Sequence, residues 1–225
     1  MQANPKKVSS IKVINHNIFN TDAQDSFFIH DWANQLHINT RKNVTIDNLS
    51  IKQGETVNQK QLQESARLLR KQRYIRDAKV YFADNPDSQQ PQQLVVETWD
   101  NWSLLPTMSF NHSGGESKFS VGIKEDNLLG YGIRTRIKYK KDSERDGYKF
   151  AFIAPFRWIE HARIGATYLD NSDGESTQFY FENPFYSLSD NQQYGFIFLD
   201  DSRIDTLKQN GVDINEFNHD IDFIN

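Results

Sequence analysis

The chain has 225 residues, which is enough for one large or two small domains. With 26 basic and 30 acidic residues, its net charge of −4 lacks the positive excess expected of a nucleic-acid-binding protein. It contains no cysteine, which excludes disulfides, zinc–thiolate sites and a cysteine nucleophile. Aromatic residues make up 13% of the chain and hydrophobic residues only 37%, a combination that favours strands with one apolar and one polar face.

The first residues of the chain do not have the pattern of a secretory signal. Residues 1–7 lack the apolar core of a secretory signal, so we assign them as a leader or linker. No run of about 18 apolar residues occurs later in the chain, and the sequence therefore predicts no transmembrane helix.

Residues 8–100 mix strand and helix signals. A strand is predicted over 8–19, and a helix over 25–37 with Phe28, Trp32 and Leu36 on one face.

The best-marked helix of the chain follows Gly54. Asn58 is a good N-cap, and Gln61 three residues later completes a capping box. Val57 and Leu62 occupy the two positions of a hydrophobic staple. We therefore expect a capped helix that ends near residue 72.

Two strands are predicted after this helix, over 78–82 and 93–99, joined by the polar loop 84–91. The order β-α-α-β-β within about 90 residues is typical of a small α+β domain.

Residues 101–225 follow a different pattern, in which apolar and polar residues alternate between turn signals at 113–115, 142–147 and 171–174. About seven or eight antiparallel strands of roughly ten residues fit this pattern, with the apolar-out, polar-in alternation of a membrane β-barrel. One strand alternates apolar residues with a row of four cations: Arg134, Arg136, Lys138 and Lys140. Because unpaired buried charge is expensive, this row must face water and not a small dry core.

Three motifs resemble one known family. The stretch 54–82 resembles the second half of a POTRA (polypeptide-transport-associated) domain. The stretch 122–132, Gly-Ile-Lys-Glu-Asp-Asn-Leu-Leu-Gly-Tyr-Gly, is similar to the Glu-x-Asn-Leu-x-Gly-x-Gly turn that opens barrels of the BamA/TamA superfamily. The stretch 183–186, Asn-Pro-Phe-Tyr, is similar to turns in the same barrels. Their order and spacing make the chain resemble this superfamily over most of its length.

The resemblance implies a periplasmic POTRA domain at 8–100 and, at 101–225, the N-terminal part of a β-barrel in the outer membrane of a Gram-negative cell. It also implies a role in inserting or translocating outer-membrane polypeptides. About half of such a barrel is present, so the chain is expected to be a fragment.

The same resemblance suggests where a client polypeptide would bind. A POTRA domain exposes its middle strand at the sheet edge, where a client strand can add to the sheet. The first barrel strand, expected at about 102–111 and interrupted by Pro106, would form a second client-facing edge. The candidate client-binding residues are Lys79, Val80, Tyr81, Phe82, Leu104, Met108 and Phe110. The candidate membrane-interface residues are Trp99, Trp102 and Trp158.

No catalytic residue, metal ligand or cofactor is predicted. His30 and Asp31 are adjacent, and adjacent residues of a helix do not face each other. The stretch 170–174 lacks the Gly at position six and the Glu at position twelve of a calcium loop. We therefore expect a protein that is not an enzyme.

The expected partners are unfolded outer-membrane polypeptides, outer-membrane lipid and periplasmic accessory proteins, and no nucleic acid. Two alternatives stay open at the level of sequence. One is a soluble or surface β-rich binding protein, and the other is a barrel that anchors a separate activity.

Overall fold

The computed structural model describes residues 5–18, 37–83, 92–188, 190–210 and 212–225. The chain divides into two compact units. The first unit combines Met1–Ser103 with two later segments, Asp126–Gly132 and Phe185–Asn191. The second unit comprises Leu104–Glu125, Ile133–Pro184 and Gln192–Asn225.

The first unit contains a four-stranded sheet and two described helices. In chain order these are β1 Lys6–His16, α1 Lys42–Asp47, β2 Thr56–Val57, α2 Gln59–Arg70, β3 Ile75–Phe82 and β4 Gln92–Asp100. The sheet order is β2-β1-β4-β3, with β1 parallel to β4 and β3 antiparallel to β4. This order places β3 at one edge of the sheet.

Helix α2 begins as the sequence predicts. The Asn58 side chain accepts a hydrogen bond from the Gln61 N–H, and the Gln61 side chain accepts one from the Asn58 N–H. The buried face of the helix packs into a core shared with α1 and the sheet. The largest buried members of that core include Val8, Val44, Val57, Leu69, Leu94 and Val96.

The helix expected over 25–37 falls outside the described residues except for His37 and stays a prediction. Elsewhere in the first unit the structure differs from the prediction in two respects. The strand expected over 8–19 lies at Lys6–His16. The short elements α1 and β2 were not predicted. With six residues and no side-chain N-cap, α1 is too short for an apolar repeat to reveal it.

The second unit carries the eight-stranded antiparallel sheet that the alternating pattern predicts. The strands are β5 Leu104–Ser113, β6 Glu116–Leu128, β7 Ile133–Lys141, β8 Asp146–Pro155, β9 Arg163–Asn171, β10 Gly174–Asn183, β11 Tyr194–Gln209 and β12 Val212–Ile224. Each strand lies beside its neighbours in sequence, with β5 and β12 at the two edges. No helix among the described residues is long and apolar enough to cross a membrane.

The interruption expected at Pro106 is not observed. The β5–β6 ladder runs from Leu104 to Ser113 without a register shift, and Pro106 lies opposite Ile123. The ladder bond between the Asp126 N–H and the Ser103 oxygen shows that Ser103 faces β6. Main-chain groups alternate in direction along a strand, so those of Pro106 face away from β6. The missing N–H of proline therefore removes no bond from this ladder.

Cross-strand pairing sorts the side chains of this sheet into two faces, because directly opposed residues point to the same side. We call one side the apolar face, and its members include Met108, Phe110, Phe119, Val121, Ile137, Phe150, Phe152, Tyr168, Phe179, Phe181, Phe196 and Phe198. We call the other side the polar face, and its members include Ser109, Ser120, Arg136, Lys138, Lys149, Thr167 and Gln178.

Candidate functional site

The edge strand β3 offers main-chain groups at two positions. The Ala83 N–H bonds to the Gln93 oxygen, which shows that residue 83 faces β4. By alternation, the main-chain groups of Ala78, Val80 and Phe82 point away from β4. Arg70 donates a hydrogen bond to the Ala78 oxygen at 2.8 Å and so occupies that group. Val80 and Phe82 are therefore the positions at which β3 can pair with another strand.

The side chains of the β3 edge are divided between the core and the surface. Val80 is buried in the core, whereas Tyr81 is exposed and donates a hydrogen bond to Glu97. The Lys79 ammonium lies 5.2 Å from the centre of the Trp99 ring. Phe82 packs against the core, and these contacts hold the edge strand in place.

The second candidate edge is β5, the outermost strand of the eight-stranded sheet. Leu104, Met108 and Phe110 all lie on the apolar face, and alternation directs their main-chain groups away from β6. Met108 is 89% exposed and Phe110 is 73% exposed. The structure thus brings the three predicted residues of β5 together at one edge of the eight-stranded sheet.

The three tryptophans occupy different environments. Trp99 lies on β4 of the four-stranded sheet and stacks on His16 at 4.7 Å between ring centroids. Trp102 belongs to the first unit and is partly buried. Trp158 lies between β8 and β9 and is 88% exposed. Their role at a membrane interface stays a prediction.

Aromatic residues with polar groups lie at the end of the apolar face that carries the turns 114–115, 142–145 and 172–173. There the Tyr139 hydroxyl donates to Asp146 and the Tyr168 hydroxyl donates to Glu175, each at 2.8 Å. These rings join the apolar face while their hydroxyls reach acidic residues beyond it. This is the arrangement expected where an apolar layer meets water.

A second aromatic cluster lies towards the opposite end of the apolar face. The ring of Phe156 contacts Trp158 at 5.1 Å and Phe181 at 5.5 Å between centroids. Phe181 also contacts Tyr194 and Phe196. The apolar face is therefore bordered by aromatic rings at both ends.

The boundary of the apolar face runs obliquely across the strands. At the end that carries the turns, the aromatic residue Tyr148 on β8 is directly opposite the acidic residue Asp170 on β9. The aromatic residue of β9 that lies nearest to this end is Tyr168. Tyr168 is in turn opposite Thr177 on β10, where the last aromatic residue is Phe179. A boundary that moves along successive strands in this way is expected when tilted strands cross a layer of constant height.

A buried polar network lies inside the first unit. The carboxylate of the buried Asp100 accepts a hydrogen bond from the Thr40 N–H at 2.6 Å and lies 3.1 Å from His37 Nε2. The Thr40 hydroxyl accepts a hydrogen bond from the Asn127 amide at 2.9 Å. Asn127 in turn accepts one from the Gly132 N–H at 2.7 Å. The network thus joins β4 to the segment 126–132.

The backbone of this segment requires glycine at two positions. Gly130 and Gly132 have φ values of 75° and 70°, in the left-handed region. A Cβ at Gly130 would lie 2.4 Å from the Asn39 oxygen, and one at Gly132 would lie 3.0 Å from the Tyr74 hydroxyl. The Gly-x-Gly spacing of this segment therefore serves close backbone packing within the first unit.

The segment 185–191 makes its own contacts in the first unit. The Tyr186 hydroxyl donates a hydrogen bond to the Asn48 oxygen at 2.6 Å, and burial raises the pKa of Tyr186 well above its ordinary value. The Leu188 N–H donates to the Glu64 carboxylate. Arg67 also donates two hydrogen bonds to Glu64, each at 2.7 Å, and these are the main reason that the pKa of Glu64 is lowered.

Sequence reasoning missed these contacts. The stretches 122–132 and 183–186 were recognised only as motifs that resemble barrel turns. Nothing in their local pattern shows that Asn127 meets a residue 87 positions earlier, or that Tyr186 meets one 138 positions earlier.

The fold is thus an N-terminal α+β unit followed in sequence by an antiparallel, barrel-type sheet. BamA from Haemophilus ducreyi lacking POTRA domains 1–3 has a similar structure, with a TM-score of 0.60 and 8% sequence identity over 96% of this chain and 42% of that one. CdiB from Acinetobacter baumannii is also similar, with a TM-score of 0.56 and 10% identity over 97% of this chain and 40% of that one. The chain spans about two fifths of the length of each, and at these identities the likeness shows a shared fold. No protein-family model matches the sequence, and neither does any curated protein.

Removing the Asn127 amide should destabilise the segment 126–132. Asn127→Ala leaves the buried Thr40 hydroxyl and the Gly132 N–H without their partner, which costs about 1–3 kcal/mol. We expect hydrogen exchange at the Gly132 amide to accelerate about tenfold or more. Asn127→Asp keeps the acceptor for Gly132 and should recover part of the protection. Equal exchange in the wild type and Asn127→Ala would contradict this assignment.

The raised pKa of Tyr186 predicts a loss of stability at high pH. The free tyrosine pKa is about 10, so the stabilisation is fully present below that pH and is lost as the pH rises towards the raised folded-state pKa. Tyr186→Phe should be less stable at neutral pH by about 1 kcal/mol and should lose less stability between pH 9 and 11.5. Thermal midpoints measured across this range test both effects, with Tyr131→Phe as the control. Parallel curves for the wild type and Tyr186→Phe would rule the explanation out.

Proposed function

We propose that this chain is the N-terminal part of an outer-membrane factor that assembles or translocates polypeptides, and that it acts by binding, without catalysis. The observation that carries the proposal is the exposed apolar face of the eight-stranded sheet, with its aromatic borders and its opposite polar face. Such a face has no place on a soluble monomer, where large exposed apolar patches are rare. The shared fold with BamA and CdiB supports the same assignment.

In this proposal residues 101–225 lie in the outer membrane, with the apolar face against lipid. From Tyr148 to Phe156, one residue beyond β8, the chain advances about 27 Å, or about 20 Å in height at the tilt of a barrel strand, which covers most of the apolar band of about 25 Å. The exposed ring of Trp158 suits the lipid–water interface. Trp99 and Trp102 would act near the same interface, as proposed from the sequence.

Residues 8–100 would form a POTRA domain in the periplasm. The sheet order β2-β1-β4-β3 supports this assignment, because it leaves β3 at the edge. A client strand would pair with β3 through the outward main-chain groups of Val80 and Phe82, beside the exposed side chains of Lys79 and Tyr81. Main-chain bonds of this kind give affinity that tolerates many client sequences.

The second client position would be β5. Leu104, Met108 and Phe110 present apolar side chains at this edge, and their main-chain groups point away from β6. A polypeptide that folds in lipid needs hydrogen-bond partners for its main-chain N–H and C=O groups, because the bilayer core contains no water. The β5 edge could supply such partners beside apolar side chains. Periplasmic accessory proteins are further proposed partners of the first unit.

Client pairing at β3 can be tested through a single N–H group. Val80→Pro removes an N–H that points away from β4, whereas Val80→Ala keeps that N–H although it removes more of the buried side chain. A peptide with the sequence of Asp146–Pro155, which alternates like an outer-membrane strand, serves as the client in detergent. We expect it to bind Val80→Pro at least tenfold more weakly than Val80→Ala. Amide exchange in β4 checks that both variants keep the sheet.

The client itself provides a second arm of this test. The same peptide methylated on alternate main-chain nitrogens should bind the wild type poorly, since it cannot complete the ladder. Equal affinity of both peptides, or of both Val80 variants, would show that β3 does not act by strand addition.

Lipid contact can be tested with two neighbouring residues of β7. Ile137 lies on the apolar face opposite Phe150, and Arg136 lies on the polar face opposite Ala151. An arginine on a lipid face near the bilayer midplane costs about 2–4 kcal/mol, so Ile137→Arg should sharply reduce insertion into lipid vesicles. Arg136→Gln should insert as well as the wild type. If protease protection after insertion is the same for both variants, the apolar face does not meet lipid.

A further inference from the structure

The polar face of β6, β7 and β8 carries many more cations than anions. Its basic residues are Lys118, Lys124, Arg134, Arg136, Lys138, Lys140 and Lys149. Three neighbouring members, Arg136, Lys138 and Lys149, form what we call the cationic strip. None of these three side chains makes a hydrogen bond or an ion pair with any residue that the structure describes.

Cations elsewhere on the same sheet do have acidic partners. Arg163 lies opposite Glu182 in the β9–β10 ladder, with 2.6 Å between their charged groups. Arg203 lies 3.0 Å from Asp201 and 3.1 Å from Asp205. Arg163 and Arg203 are therefore paired on the polar face of the later strands, whereas the three side chains of the cationic strip have no such partner among the described residues.

The strip also contains an unfavourable contact. Lys138 on β7 and Lys149 on β8 are directly opposite each other, and both are partly buried. Like charges in directly opposed positions destabilise a sheet. A partner that supplies negative charge between them would relieve this repulsion.

Short side chains lie beside the strip on both neighbouring strands. Ala151 lies opposite Arg136, and Gly147 lies opposite Lys140 on β8. On β6, Gly122 packs so closely against β7 that a Cβ there would lie 2.4 Å from the Ile137 oxygen and 3.0 Å from the Lys138 Cα. No long side chain at these three positions covers the cations.

The spacing of the cations fits a polypeptide. Within the strip, Arg136 and Lys138 are two residues apart on β7, which corresponds to about 6.8 Å along an antiparallel strand. Carboxylates at alternate positions of an extended chain have the same spacing. We propose that the cationic strip binds an acidic, extended polypeptide segment with carboxylates at alternate residues. This proposal concerns the polar face and does not rest on client binding at β3 or β5.

A polypeptide suits this surface better than a lipid. A lipid headgroup would need an apolar surface for its acyl chains beside the cations, and the aromatic rows of β7 and β8 lie on the opposite face. The flanking residues Ser120, Gly122 and Ala151 offer no such surface.

The test uses the full chain in detergent and a labelled peptide of alternating Glu and Thr. The variant Arg136→Gln/Lys138→Gln/Lys149→Gln removes the strip. The matched control Lys7→Gln/Lys60→Gln/Lys71→Gln removes three exposed charges of the first unit. We expect the strip variant to bind about tenfold or more weakly and the control to stay within twofold of the wild type. Binding should also weaken as salt rises from 0.05 to 0.5 M.

Lys149→Glu separates binding from folding. It places a carboxylate opposite Lys138, so the sheet should become more stable while affinity for the acidic peptide falls. Loss of binding together with loss of stability would overturn the proposal.

Three other outcomes would also overturn it. One is equal weakening in both triple variants, which would indicate only general charge attraction. Another is competition by inorganic phosphate at the same charge concentration as the peptide, which would indicate a small-anion site. The third is strip-dependent binding to anionic phospholipid vesicles but not to the peptide, which would indicate a lipid surface.

Discussion

Strict two-residue alternation is the constraint on which the eight-stranded sheet depends. Lys149 and Phe150 are neighbours in sequence, yet the pleat sends them to opposite faces, where one joins the cations and the other joins the aromatic rings. A slip of one residue in any strand would exchange these environments and place a charge among the rings. The register is therefore fixed by the apolar side chains of one face and the charged side chains of the other. The described ladders between β5 and β10 show no register shift.

The parts of the structure that sequence could predict are those in which local pattern and final contacts agree. The alternation of residues 101–225 predicted the antiparallel strands because each strand pairs with its neighbour in sequence. Asn58 and Gln61 predicted the start of α2 because both partners of the capping box lie within one helical turn. Helix α1 gave no such signal, since its six residues have no side-chain cap and owe their place to burial of Val44.

Some features of the candidate sites could be predicted before the structure was known, and others could not. The edge position of β3 was expected from the family resemblance, and the common face of Leu104, Met108 and Phe110 was expected from alternation; the structure has both. The roles of Asn127 and Tyr186 depend on partners far away in sequence. The local sequence around a polar residue does not indicate a hydrogen-bond partner far away in the chain, so these contacts are seen only in the folded structure.

These distant contacts also determine which parts of the chain the first unit needs in order to fold fully. Asn127 satisfies the Thr40 hydroxyl, and Tyr186 satisfies the Asn48 oxygen, across 87 and 138 residues of chain. Bringing such remote positions together carries a loop-closure cost in entropy. The α+β unit can form its core from residues before 103, but its polar network needs the segment 126–132, and the contact with Asn48 needs Tyr186.

Pro106 has a further consequence that lies outside any binding role. An edge strand with a full set of outward N–H groups is a template on which other copies can stack into a growing ribbon. On β5 the proline removes the outward donor between Leu104 and Met108, without weakening the ladder to β6. A second copy docking edge to edge would meet a gap in its hydrogen bonds at the centre of the contact. Pro106 costs the β5–β6 ladder nothing, and it disfavours the stacking of further copies on the β5 edge.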